Sequence, residues 1–248
     1  MAEADILVDA VIPVYNEEHV LADSVAKLRA YLAEELPYRW RIVIADNASI
    51  DDTQTVGEAL AAAHDDVRYL RLAQKGRGRA LKQAWGGSEA DVVSYMDVDL
   101  STNLSAYRPL IDAIASGGYD VAIGSRLQRG ANVTRQWKRE IISRGYNVLI
   151  KALFPRRGFS DAQCGFKALS RRAADSLLPI VENNEWFFDS ELLLRAEQQG
   201  YRIAEVPVEW IEDLDTRVKI ISTALEDVRG LLRVRTTSPA VRDADPVG

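Results

Sequence analysis

The 248-residue chain predicts an α/β fold built on a mostly parallel central sheet. Three features carry that prediction. Short apolar runs alternate with helical patterns five times before residue 126. The runs are nearly continuous in Val, Ile and Ala, as strands covered on both faces must be. Polar clusters follow every run, marking where each strand hands over to its crossover.

The elements follow in order. "DILVDAVIPV" leads into the amphipathic "EEHVLADSVAKLRAYLAEEL", and "RWRIVIAD" into "DDTQTVGEALAAAH". "VRYLRLA" precedes "GRALKQAWGGSEA", "DVVSYMD" precedes "NLSAYRPLIDAIASG", and "YDVAIGS" closes the series. The rhythm breaks after Arg126. A basic amphipathic stretch comes first, then a strand-like "QCGFKALS", a helix "FFDSELLLRAEQQG", a strand "YRIAEVPVEW" and a helix from about Arg217 to Val234. One domain is expected over residues 1–234, with 133–157 as its amphipathic segment and 235–248 as a disordered tail. No internal repeat or low-complexity segment is present.

Composition excludes several classes. Two histidines and one cysteine cannot build a Cys/His zinc cluster or an internal disulfide. Residues 1–18 lack the basic and long apolar regions of a signal peptide, and no window reaches 18 apolar residues without a charge. A cytoplasmic chain is therefore expected. The net charge of −6 is uneven: residues 126–157 hold nine Lys/Arg against Glu140, so the remainder is strongly acidic. That segment suits a phosphate-rich partner. Nucleic acid is not expected, since the patch is confined, the pI is near 5.1 and no nucleic-acid motif occurs.

Ligands of open α/β sheets sit at the carboxyl ends of the strands. The loops there read "YNEE", "DNASIDDT", "QKGRGR", "DVDLS" and "GSR". An Asp-x-Asp triplet is weak evidence by itself. With 21 aspartates roughly two arise by chance, and Asp213–Asp215 and Asp243–Asp245 are two more. Asp97–Asp99 differs in lying directly after an apolar strand. Residues i and i+2 of an extended chain share a face, so both carboxylates are expected to converge on a hard cation, Mg²⁺ or Mn²⁺. A solvated turn is the competing reading. "KGRGRALKQAW" resembles a phosphate loop but matches neither GxxxxGK[ST] nor GxGxxG. His19 and His64 read as surface residues and Cys164 as a buried one.

In "RQWKREIISRGYNVLIKALFPRR", Trp137, Ile141, Ile142, Val148, Leu149, Leu153 and Phe154 interleave with seven cations. That is the composition of an interfacial helix pair facing anionic lipid, or of a core helix with a charged outer face.

"VIPVYNEE", "IVIADNASIDDT", "KGRGRAL", "MDVDL", "AIGSR" and "DAQCGFKALSR" occur in the order seen in family 2 glycosyltransferases of the GT-A fold. Over residues 7 to about 232 the chain resembles polyprenyl-phosphate sugar synthases, especially dolichyl-phosphate glucosyltransferases. The resemblance implies a GT-A, Rossmann-like domain and site residues at matching positions. Pro13, Tyr15, Glu17 and Asp46 would contact base and ribose, with Lys75 also on the nucleotide-sugar side. Asp97 would lie near the diphosphate and Asp99 would hold Mg²⁺ or Mn²⁺. Arg126, Arg139 and Ser143 fall where phosphate is held, and Gln163 to Lys167 line the acceptor side. Asp189 and Glu191 form an acidic pair near the sugar, and Arg217 and Lys219 close on the diphosphate. Two departures stand out. Ala48 replaces a glycine, and Ser101 stands where many relatives carry Gln.

The implied reaction is inverting transfer of a hexose, UDP-glucose favoured by "QCGFK", to a polyprenyl phosphate. A phosphate acceptor needs no strong base, and attachment to the cytoplasmic face of an anionic membrane would be peripheral. The alternatives are a glycosyltransferase acting on a small hydroxyl acceptor, with Asp189 or Glu191 as base, and a non-catalytic nucleotide-sugar-binding subunit.

Overall fold

A computed structural model describes residues 5–134, 137–155, 157–211 and 220–237, the side chains of 132–144 and 211–225 excepted. The expected tail beyond residue 237, the triplets at 213–215 and 243–245, and Arg217 and Lys219 lie outside the described residues.

The predicted series of five strands with intervening helices is present. Strands β1 (Leu7–Val14), β2 (Arg39–Asp46), β3 (Val67–Arg71), β4 (Val92–Met96) and β5 (Val121–Ser125) are separated by helices α1 (Leu21–Glu35), α2 (Thr53–Ala63), α3 (Arg77–Gly86) and α4 (Tyr107–Ala115). Helix α1 buries Leu21, Val25, Leu28 and Leu32, one stripe at helical spacing, each contributing roughly 1.5–3 kcal/mol. It stops at Leu36 because Pro37 disfavours a helical residue before it.

Then come β6 (Asn132–Thr134), α5 (Trp137–Leu153), β7 (Phe166–Ser170), α6 (Arg171–Leu177), α7 (Phe188–Gln198), β8 (Ile203–Pro207), β9 (Glu209–Ile211) and α8 (Ile220–Thr236). The main sheet has the order β3-β2-β1-β4-β7-β5-β8. Only β7 runs antiparallel to its neighbours, entering between β4 and β5 with Lys167 opposite both Tyr95 and Ile123. Ser170 caps α6 by accepting from the Ala173 amide. One core, around Trp85, Tyr95, Phe187, Phe188 and Leu192, packs α3 and α5–α8 against the sheet. The other, around Leu28, Tyr107 and Phe166, packs α1 and α4 on the opposite face.

Two expectations change, and one open alternative is narrowed. The single strand over 201–210 is two strands: β8 pairs with β5 through Pro207, whereas β9 pairs with β6. The basic stretch forms one helix rather than a pair: Gly145 costs only about 1 kcal/mol inside a helix, and the first strong breaker is Pro155. The described half of α5 is largely a core helix. Ile150 is buried and Leu149, Leu153 and Phe154 pack on the core, while Val148 faces out. No helix among the described residues is long and apolar enough to cross a membrane.

Candidate active site

Strands β2, β1 and β4 are neighbours and parallel, so the loops after Asp46, Val14 and Met96 meet at one edge of the sheet. Pro13, opposite Ala45, is the last residue but one of β1, and Tyr15, Asn16 and Glu17 follow Val14. The Asn16 amide donates to Ser49 Oγ (3.0 Å), the Glu17 amide to Thr53 Oγ1 (2.8 Å), and the Ile50 amide to Asn16 Oδ1 (2.9 Å). Fully buried Asp46 accepts from the Ser49 amide (2.8 Å), Arg71 Nη1 (2.7 Å) and the Tyr69 hydroxyl (2.5 Å). Ala48, the departure from glycine, adopts φ +59°, a left-handed conformation that glycine enters freely and alanine only with strain. Exposed Lys75 places its Nζ 3.3 Å from the centre of the Tyr15 ring, joining the first and third loops by a cation–π contact.

The Asp97–Asp99 geometry differs from the extended arrangement expected. Strand β4 ends at Met96 and the chain turns: the Leu100 amide donates to the Asp97 carbonyl (3.1 Å), with Leu100 at φ +50°. The Ser101 amide then donates to Asp99 Oδ1 (2.9 Å). Small polar residues make such turns because their side chains substitute for backbone partners. Asp97 is half-buried and Asp99 exposed. Burial, with the nearby Asp99 charge, raises the Asp97 pKa against the lowering effect of Arg77.

Arg77 Nη2 donates to Asp97 Oδ1 at 2.7 Å. Its guanidinium lies 5.3 Å from the centre of the Tyr95 ring and 4.9 Å from that of Trp186, and its Nε has no hydrogen-bond partner among the described residues. Gly165 leaves room on the other side, since a Cβ there would fall 2.1 Å from Asp97 Oδ2. One oxygen of Asp97 and one of Asp99 thus have no hydrogen-bonding partner among the described residues. Two carboxylates fit a divalent ion that keeps waters and takes other ligands from a substrate phosphate. No third His, Cys, Asp or Glu joins them among the described residues.

The other predicted residues divide into separate environments. Asp189 accepts from the Tyr95 hydroxyl and pairs with Lys167 Nζ at 2.9 Å. Lys167 is fully buried and also donates to the Cys164 carbonyl (2.5 Å). The strand pairing of Tyr95 with Lys167 aims both at α7. Glu191 does not join Asp189. Residues two apart on a helix lie about 200° apart around it, so Glu191 faces Arg233 of α8 (2.7 Å) and the Asn183 amide (2.8 Å). Arg126 is buried and holds Asp161 through Nε (2.7 Å) and Nη2 (2.9 Å). Gln163 donates to Asp227 (3.3 Å). Arg139 and Ser143 fall within α5, their side chains outside those described. Cys164 is buried, its thiol pushed up to about 12 by burial. His19 is exposed and His64 borders Arg29.

Sequence reasoning missed Arg77, Tyr95, Trp186, Asp161 and Asp227. Arg77 stood two residues from Lys75 in the same glycine-rich motif and was legible there. Asp227, buried on α8 with Oδ1 unpartnered among the described residues and its carboxyl pushed up to about 7 by burial, carried no motif.

The architecture matches solved structures. Glucosyl-3-phosphoglycerate synthase from Mycobacterium tuberculosis, crystallised with Mn²⁺, UDP and glucosyl-3-phosphoglycerate, aligns with a TM-score of 0.70 at 19% identity, covering 95% of this chain and 82% of that one. A sheet of this order with a carboxylate turn at its carboxyl edge is the GT-A fold. The sequence model of glycosyl transferase family 2 matches residues 9–178, and the chain belongs to that family. It is 37% identical over 224 residues to glycosyltransferase AglD of Haloferax volcanii, covering 90% of this chain but 36%, about a third, of that protein. It is 30% identical over 247 residues to dolichyl-phosphate beta-glucosyltransferase ALG5C of Trichomonas vaginalis, covering 94% and 73%, and 27% identical to the Saccharomyces cerevisiae dolichyl-phosphate beta-glucosyltransferase, covering 94% and 75%.

Proposed function

We propose that the chain transfers a hexose, with UDP-glucose the favoured donor, from a nucleotide diphosphate sugar to a polyprenyl phosphate with inversion at the anomeric carbon. The observation that carries this reading is the Arg77–Asp97 pair at the carboxyl edge of β4. It combines a carboxylate oxygen and a guanidinium Nε–H that have no hydrogen-bond partner among the described residues, the donor and acceptor set a metal-bound diphosphate requires. The dolichyl-phosphate beta-glucosyltransferase relatives support the choice of acceptor.

In this reading Pro13, Tyr15, Glu17 and Asp46 border the nucleotide, and Lys75, already over Tyr15, closes on it. Asp97 and Asp99 hold Mg²⁺ or Mn²⁺, which when bound supplies Lewis-acid stabilisation of the leaving diphosphate. Arg77 adds charge-assisted hydrogen bonds on the same side, and Arg217 and Lys219 are proposed to do so from the segment before α8. Arg126, fixed by Asp161, contributes field rather than direct contact. The acceptor phosphate is already an anion at neutral pH, so the site has to position rather than deprotonate it. That suits the surroundings of Asp189, whose Oδ1 is engaged by Tyr95 and Lys167, and of Glu191, which faces Arg233. Gln163, Lys167, Arg139 and Ser143 would border the acceptor.

Peripheral attachment to the cytoplasmic face of an anionic membrane is part of the reading. Exposed Val148 on α5 and Val228 and Leu232 on α8 stand among exposed Lys151, Arg229 and Arg235, an apolar and basic mixture suited to acidic headgroups. The test is a panel of UDP- and GDP-sugars offered with a short polyprenyl phosphate and Mn²⁺, with products read by mass. A glucosyl phospholipid from UDP-glucose is expected. Transfer only to a soluble alcohol, with no salt-sensitive binding to anionic liposomes, overturns the reading.

A further inference from the structure

The 181–186 segment between α6 and α7 is held from three helices. From α3, Lys82 Nζ donates to the Val181 carbonyl (2.7 Å) and the Arg79 amide to the Asn184 carbonyl (3.0 Å). From α8, Glu226 accepts from Asn183 Nδ2 (2.7 Å), and Arg233 pairs with Glu182. From α7, Glu191 Oε2 accepts both the Asn183 amide (2.8 Å) and Arg233 Nη2 (2.7 Å). Glu191 is the buried node of this set, fully out of solvent, whereas Arg233 is partly exposed.

The segment delivers Trp186 to the site. Trp186 is 39% exposed, and its ring centre lies 4.9 Å from the Arg77 guanidinium, on the arginine that holds Asp97. The glycines of this motif make room for the segment and for α7: a Cβ on Gly76 would lie 2.6 Å from the Asn184 carbonyl oxygen, and one on Gly78 2.6 Å from Phe188 Cβ. A cation over an indole face is restrained in direction as well as attracted. The position of the indole therefore bears on how the guanidinium meets the carboxylate.

We propose that Glu191 is a positioning residue: through Asn183 and Arg233 it fixes the 181–186 segment so that Trp186 covers Arg77 and keeps the guanidinium on Asp97. The inference rests on the reading of Arg77 and Asp97 as donor-binding groups, but its first test does not. Hydrogen exchange is followed by mass in Glu191→Gln, Glu191→Ala and Arg233→Met. Arg233→Met keeps Glu191 in place and guards against a misfolded Glu191→Ala. Faster exchange confined to peptides spanning 181–187 is expected in Glu191→Ala and Arg233→Met, with partial rescue in Glu191→Gln, whose amide oxygen still accepts the Asn183 amide. Unchanged exchange there in folded Arg233→Met and Glu191→Gln overturns the proposal. The second test is a cycle with Trp186→Ala, read as kcat/KM for UDP-glucose. Glu191→Ala is expected to cost about tenfold in the native background and under twofold once Trp186 is gone. Equal losses in both backgrounds mean that Glu191 acts on stability alone and overturn the idea. If no sugar is transferred by the native chain, the transfer reading fails while the exchange result still decides the positioning role.

Discussion

The first half of the molecule and the second solve the same problem differently. Over β1–β4, the residues that meet at the sheet edge come from parallel strands, and besides the Arg71–Asp46 and Arg41–Asp9 pairs the loops are secured by backbone amides that donate to side chains: Asn16 to Ser49, Glu17 to Thr53, Ser49 to Asp46. Over β5–α8, one strand runs against the rest, and the corresponding positions are secured by buried ion pairs between distant elements: Arg126 with Asp161, Lys167 with Asp189, Arg233 with Glu191. Loops fixed by many amide contacts tolerate the loss of any one. A buried ion pair does not, because removing one partner strands the other without solvent.

That contrast can be broken by substitution. The largest effect is expected from Lys167→Met, which leaves Asp189 beside Tyr95 without its cation. A loss of roughly 3–5 kcal/mol in urea unfolding is expected for a halved buried pair, and a loss below 1 kcal/mol would remove the distinction between the halves. Next comes Asp99→Ala, at the turn where the halves meet. Metal-dependent transfer should drop about a hundredfold, equivalent to about 2.7 kcal/mol, with the midpoint of thermal unfolding unmoved. Near-normal turnover dependent on Mn²⁺ would sink the metal assignment.

A pH experiment sharpens the second half. The Asp227 carboxyl is raised to about 7 by burial, with the Glu226 charge adding to it. The folded chain therefore holds this proton more tightly than the unfolded one, so stability falls as pH rises from the usual carboxylate range through about 7. Asp227→Asn, uncharged throughout, should flatten that slope and at pH 8 exceed the native chain by on the order of 2 kcal/mol. Parallel stability–pH curves for the two proteins would contradict this. The smallest effect lies in the first half. Ala48→Gly relieves a left-handed alanine at φ +59° and should stabilise by roughly 0.5–1 kcal/mol, read by denaturant midpoint.

The sequence by itself determined the strand–helix order and the carboxyl edge where the loops collect, because hydrophobic periodicity and turn chemistry are local, and the resemblance of its ordered motifs pointed to the family. The positions of Asp46, Asp97 and Asp99 at that edge were legible for the same reason, since each ends or closely follows an apolar strand. Asp189 and Glu191 looked like a pair on the page, yet helical geometry turns them to opposite sides, one to Tyr95 and Lys167 and the other to Arg233. Arg126, which the resemblance places where phosphate is held, binds Asp161, 35 residues away, through Nε and Nη2. The basic stretch read equally well as a membrane face or a core helix, and only packing placed Ile150 inside and Val148 outside. Tertiary structure alone decided partners of that kind. The energy of a buried charge depends on what surrounds it in space, and β7, running antiparallel between β4 and β5, brings together residues that no local pattern relates.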